Sequence, residues 1–350
     1  MNVTSNNIAK NRIDWLDTAK CSGMLLVFLG HLLESGDPSF SELVTTNRYI
    51  YSFHMPMFFL LAGMFFKPSP ARFGKLVISK FKSRFVPVLF FTLITLPFWQ
   101  YPSTWLITNV DPNTVNNHLW RLIRGFPNLN WPCWFLVCLM VVELIASELV
   151  PMLNTRRKLL FAILALYIVG RLVTDKAPLA AIGALEARQT IWFLQESFVA
   201  LSFYLVGYTL AQSSMLDREI THFKRLALLL FLLCIYALTS QLDFSSYTIA
   251  KVNMSSSEHG NWLYFPIAAI SGSLIFLLFS QLVPSCRLIA YIGNNTLPLI
   301  GLNGLFLHFF NKQIAIWCDG LAVGLPLVIL YIVVSLALSL IHISEPTRPY

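Results

Sequence analysis

Long apolar runs alternate with short polar connections along the whole chain. A membrane-crossing helix needs about 20 consecutive, mainly apolar residues. Ten runs of this kind lie near residues 15–34, 49–66, 85–101, 131–150, 159–173, 190–211, 226–241, 262–283, 294–310 and 322–342. The fifth is short, and the ninth is interrupted by Gly293, Pro298 and Gly301. The longest connection, near 102–130, has 29 residues, too few for a soluble domain. The pattern predicts an all-α integral membrane protein of about ten transmembrane helices. Residues 1–342 form one polytopic domain in this reading, and 343–350 form a short tail that continues no pattern. The first run holds a lysine and a histidine and has no small-residue cleavage site after it, so it reads as a retained helix.

Charges inside these runs are the next signal, because each costs roughly 2.5–3.5 kcal/mol to insert. The first run carries Asp17, Lys20, His31 and Glu34. At about 100° per residue all four fall on one narrow stripe, with His31 about 16 Å above Lys20. A polar seam that only packs spans together is the alternative, but small hydroxyl and amide residues make such seams at lower cost. His54, Gln195, Glu196, Asn303 and His308 lie at a depth similar to His31 on three other spans. Together they suggest a cavity opening outward with His31 near its floor. For His54, Glu196 or His308 taken singly, a structural or interfacial role stands beside the functional one. Glu143 lies in mid-span and needs a partner that the sequence does not name.

Composition agrees with the membrane reading. Hydrophobic residues make up 56% of the 350 positions and charged residues only 12%, about half the globular share. That excludes an ordinary soluble enzyme and a disulfide scaffold. The net charge of +8 would suggest nucleic acid in a soluble protein. With a cytoplasmic N-terminus and ten alternating spans, however, 17 of the 25 Lys and Arg residues fall on the cytoplasmic side and 8 outside. That is the positive-inside bias, so no nucleic-acid partner is expected, and both termini are placed in the cytoplasm. The six cysteines show neither CxxC nor zinc spacing, so they read as packing residues and no metal site is expected. Residues 67–84 hold Lys67, Arg72, Lys75, Lys80, Lys82 and Arg84 with no acid. This cluster suits anionic lipid headgroups or, alternatively, the phosphates of a nucleotide-bearing donor.

Several motifs resemble one family. Arg12-Ile13-Asp14-Trp15-Leu16-Asp17-Thr18-Ala19-Lys20, followed by Gly30-His31, is similar to the start of the family-3 membrane acyltransferases, and more narrowly of their fucose O-acetylase-like branch. Phe53-His54-Met55-Pro56-Met57-Phe58-Phe59-Leu60-Leu61-Ala62-Gly63 resembles the family's second-span motif, with Ala62 where Ser is usual. Arg84-Phe85-Val86-Pro87, Trp134-Phe135-Leu136 and Ile292-Gly293-Asn294-Asn295-Thr296-Leu297 with His308 add support. The family marks its first span with Arg, ten residues, then His; here the cation is Lys20. Its Arg-x-x-Arg before the third span is also altered, since Arg84 fits the second position and Phe81 the first. Both changes keep charge nearby and lose a bidentate fork.

The resemblance implies a ten-helix O-acyltransferase of the inner (plasma) membrane. It would take an acyl group, usually acetyl, from cytoplasmic acyl-CoA to a hydroxyl of an envelope glycan or lipid-linked saccharide. Acetyl-CoA would be a substrate, with no bound cofactor. Lys20, Lys80, Lys82 and Arg84 would hold the donor. His31 would be the base that takes the hydroxyl proton, and Glu34 would orient it. His54, Glu196, Asn303 and His308 are candidates for the acceptor side or the oxyanion. Direct transfer and a covalent acyl-histidine both remain open. The competing reading is a transporter or flippase of glycans or lipid-linked sugars, which would also use mid-membrane polar groups and a broken helix.

Overall fold

The structure is a computed structural model that describes residues 14–34, 41–69, 71–96, 112–176, 190–213, 221–246, 252–284 and 286–306. Every element among them is helical, apart from one isolated antiparallel bridge between Asn253 and Glu258. The helices are α1 (Asp14–Glu34), α2 (Ser41–Met64), α3 (Phe73–Lys80), α4 (Val86–Thr95), α5 (Pro112–Ile123) and α6 (Trp134–Leu149). They continue with α7 (Arg156–Lys176), α8 (Leu194–Ser213), α9 (His222–Ser246), α10 (Tyr264–Ser280), α11 (Arg287–Asn294) and α12 (Thr296–Phe306). Among the described residues, three helices are long and apolar enough to cross a membrane: Trp131–Met152, Ile191–Ser213 and Phe223–Ser245. The expected tenth span, 322–342, and the tail lie outside the described residues.

In the centre of the bundle α2 lies against α8, α10 and α1, while α8 also carries α6 and α7. The α2–α8 contact is close because glycines face backbone: a Cβ on Gly63 would overlap the Tyr204 carbonyl, and one on Gly207 the Leu60 carbonyl. Small residues let helices approach where no hydrophobic drive separates protein from lipid. Phe59, Leu60, Leu201, Leu205 and Phe265 are fully buried around this seam. The outer faces of α7 and α9 show the reverse, with Phe161, Leu164, Leu230 and Phe231 exposed as a lipid-facing surface would be.

Three boundaries differ from the sequence expectation. The third span was expected near 85–101, after a basic loop. Instead helix begins at Phe73 and runs to Thr95, so Lys75, Lys80, Lys82 and Arg84 stand on helix and Arg84 is at its midpoint. A π-helical turn, Phe81–Phe85, joins α3 to α4 there. Long Lys and Arg stems tolerate such positions when their heads find a carboxylate or water. The expected 102–130 loop contains α5, an amphipathic helix with Leu119, Trp120 and Ile123 exposed. In the ninth span the break falls at Asn295, between α11 and α12. Pro298 sits in the first turn of α12, where its missing N–H costs no helical hydrogen bond.

Candidate active site

Helix α1 is unbroken from Asp14 to Glu34, so Lys20 and His31 share its face at about 16 Å separation. Each borders a different cavity.

The inner cavity measures about 500 Å³ and is bordered by Lys20, Lys67, Lys80, Arg84, Glu143 and Tyr204, with an apolar wall from α2, α6 and α12. Lys20 lies 3.9 Å from Asp17 and 5.1 Å from the centre of the Phe65 ring. Asp17 is pressed against α11 because Gly293 has no side chain to displace it. Arg84 donates from Nε to Glu143 Oε2 at 3.0 Å and from Nη2 to Oε1 at 2.7 Å. Lys80 Nζ adds a contact of 3.2 Å to Oε2. Arg84 stands within the π turn Phe81–Phe85, and such turns are frequent at functional sites. Glu143 is thereby supplied with its partners, and four cations surround one cavity holding one carboxylate.

The outer cavity is narrower, about 40 Å³, and is bordered by His31, Tyr51, His54, Trp131, Trp134 and the segment Val252–Ser255. His31 Nδ1 is hydrogen-bonded to Asn303 Oδ1. An amide oxygen only accepts, so His31 donates from Nδ1. Asn303 is fully buried, and its Nδ2 has no hydrogen-bond partner among the described residues. Asn130 fastens this part of α12: its Nδ2 donates to the Gly301 carbonyl at 2.7 Å and to Thr95 Oγ1 at 3.2 Å. His54 is buried with Nδ1 against the Ile50 carbonyl at 2.9 Å and its ring edge-on to Tyr51.

The wall formed by Val252–Ser255 is held by a buried polar network. Glu196 accepts from Thr190 Oγ1 at 2.7 Å and from Ser257 Oγ at 3.3 Å. Gln195 Nε2 donates to Thr174 and to Ser257. Arg171, almost fully buried, donates to the carbonyls of His259 and Gly260 at 3.1 and 2.8 Å. Burial, and then the Arg171 charge, push the His259 imidazole down to about 3.

The sequence-derived candidates therefore separate. His31 and His54 come together at the outer cavity, with Asn303 buried behind His31 and bordering neither cavity, and Lys20, Lys80 and Arg84 come together at the inner one. Glu196 belongs to the network behind the Val252–Ser255 wall and borders neither cavity. Lys82 is exposed and does not border the inner cavity. His308 and the Glu34 side chain lie outside the described residues. Asn130 and Tyr204 were not singled out from the sequence; a buried amide and a phenol in apolar runs give no charge signal.

A helical membrane protein with a cationic cavity and a histidine cavity on one helix is the class these features define. Over residues 13–343 the chain matches the acyltransferase domain of the acyltransferase 3 family, and it belongs to that family. No curated protein and no solved structure is detectably similar to it.

Proposed function

We propose that the protein is a ten-span inner-membrane O-acetyltransferase, of the fucose O-acetylase-like branch, with both termini cytoplasmic. It moves an acetyl group from cytoplasmic acetyl-CoA to a hydroxyl of an envelope glycan or lipid-linked saccharide. The observation that carries the reading is that His31, bonded to the buried Asn303, borders one cavity while Lys20, on the same helix, borders the other. The cations of the inner cavity suit the donor's phosphates, with Lys20, Lys80 and Arg84 facing it and Lys82 at its approach. Family membership favours acyl transfer over the transporter alternative.

In the reaction, His31 Nε2 takes the acceptor's O–H proton as its oxygen attacks the thioester carbonyl. Asn303 holds the required tautomer through Oδ1, and its Nδ2 is available to the developing oxyanion. The C–O bond forms, the C–S bond breaks, and the imidazolium returns the proton to the leaving thiolate. His54 shapes the acceptor side, Glu196 acts through the wall it anchors, Glu34 helps to orient His31, and His308 serves the acceptor or the oxyanion, the last two roles resting on the sequence alone.

The test uses membranes containing the protein, labelled acetyl-CoA and isolated cell-surface glycan. Wild-type membranes should label the glycan, and His31→Ala should reduce transfer about 10²–10⁴-fold at equal protein level. Retention of more than about a tenth of wild-type turnover would remove His31 as the base. Asn303→Ala should lower kcat with little change in the donor constant.

A further inference from the structure

The two cavities do not merge. Between Lys20 and His31, the same face of α1 carries Gly23, Met24 and Val27, and Met24 is fully buried. Helix α2 gives Met55 to the outer cavity and Phe58 to the inner one; α6 gives Trp134 to the outer and Phe135 to the inner. On α2 and α6 the residues that change sides are close in sequence, whereas on α1 about 16 Å of helix separates Lys20 from His31 across the partition. Aromatic rings stand at its inner edge: Phe58 and Phe135, both bordering the inner cavity, lie 5.8 Å apart, centre to centre. The Phe58 ring lies against Gly23, where a Cβ would stand 2.8 Å from its Cζ and 2.9 Å from the Met57 methyl. In the acyl-transfer reading above, a thioester rising from the inner cavity toward His31 would meet this point with its acyl end first.

We propose that Gly23 and Phe58 form a constriction that selects the acyl group by bulk, passing acetyl and rejecting branched chains. The inference rests on the acyl-transfer reading above and adds its specificity determinant. A glycine is required at position 23 because the ring already occupies the space a methyl would take. The acyl group must move that ring aside, and the displacement needed grows with the width of the chain. Added carbons at a tight apolar point change enzyme selectivity by about 10–200-fold.

The experiment compares kcat/KM for acetyl-CoA and isobutyryl-CoA in membranes containing wild type, Phe58→Ala, Phe58→Leu, Gly23→Ala and the Gly23→Ala/Phe58→Leu double variant. Phe58→Ala should raise the isobutyryl-to-acetyl ratio at least about tenfold. Phe58→Leu, a smaller change in volume, reads the same ratio should the alanine variant not accumulate. Gly23→Ala should cut acetyl kcat about tenfold without altering acetyl-CoA binding in the inner cavity, and the double variant should recover most of that loss. An unchanged ratio in both Phe58 variants overturns the proposal, as does a Gly23→Ala protein with full turnover or a double variant with no recovery. A wild-type protein that transfers neither acyl group would instead overturn the acyltransferase reading itself, whatever the variants do.

Discussion

Arg84 and Glu143 meet through two parallel hydrogen bonds, 3.0 and 2.7 Å long, across 59 residues of sequence. The carboxylate is nearly buried, and the guanidinium is about a quarter exposed toward the inner cavity. Glu143 therefore fixes the direction in which Arg84 faces. Glu143→Gln keeps the shape and removes the charge. It should destabilise the protein by about 1.5–3 kcal/mol, the range for hydrogen bonds to charged groups, and raise the acetyl-CoA KM severalfold with a smaller change in kcat. Arg84→Lys should fall between wild type and Glu143→Gln, because it retains charge and loses the fork. Thermal unfolding in detergent and donor titration read the two effects separately. A Glu143→Gln protein with wild-type stability and KM would make the pair incidental.

This pair also marks where sequence reasoning stopped. An unpaired glutamate in an apolar run signals a missing partner, because insertion of a charge needs compensation. The partner lies on a helix whose start was set too late, since four cations in its first half resemble a loop. Hydropathy cannot distinguish a basic loop from a basic half-helix whose heads are paired. The first-span stripe was legible because helical periodicity alone aligns Lys20 with His31. The His31–Asn303 pairing was not, because two residues 272 apart share only a depth. Helix α5 escaped notice for another reason: half its surface is polar, which suits an interface and resembles a connection.

The Gly63–Gly207 seam gives a stability prediction. Each glycine faces a backbone carbonyl on the opposing helix, so a methyl at either position forces α2 and α8 apart. Gly207→Ala should cost about 1–3 kcal/mol or more, the range for overpacking a tight core. Gly74→Ala is the internal control, since nothing lies within 4 Å of its added Cβ. There alanine should be neutral or stabilise α3 by up to about 1 kcal/mol. Comparable midpoints for the two variants would show that the seam tolerates separation.

His259 ties stability to pH. Its imidazole is held well below the ordinary value of 6.5 by burial and by Arg171. The unfolded chain therefore gains a proton near pH 6.5 that the folded protein refuses until about pH 3. Stability from this residue is intact above about pH 6.5 and falls as pH drops from there toward 3. Asp243, whose carboxyl burial raises to about 6, acts in the opposite sense, so the effect of His259 is read as a difference: as pH falls across that window, the wild-type unfolding midpoint in detergent should drop relative to that of His259→Gln. An identical pH profile in the variant would assign the acid sensitivity to other groups.

Sidedness is the remaining test, because the proposed route has a direction. If the donor is cytoplasmic acetyl-CoA, as proposed, the cavity bordered by Lys20, Lys80 and Arg84 must be reached from that side. The proposed acceptor lies outside, so the cavity at His31 must then be reached from there. The excess of Lys and Arg on the N-terminal side of the proposed topology makes the same assignment from charge alone. Ser69, exposed after α2, and Asn117, exposed on α5, fall on opposite sides in this arrangement. With the six native cysteines replaced or shown silent, Asn117→Cys should react with an impermeant thiol reagent in intact cells. Ser69→Cys should react only after the membrane is opened. The opposite result would invert the topology. The acyl group would then have to travel from His31 toward Lys20, and transfer across the membrane would fail as a mechanism even for a protein that proved to be an acyltransferase.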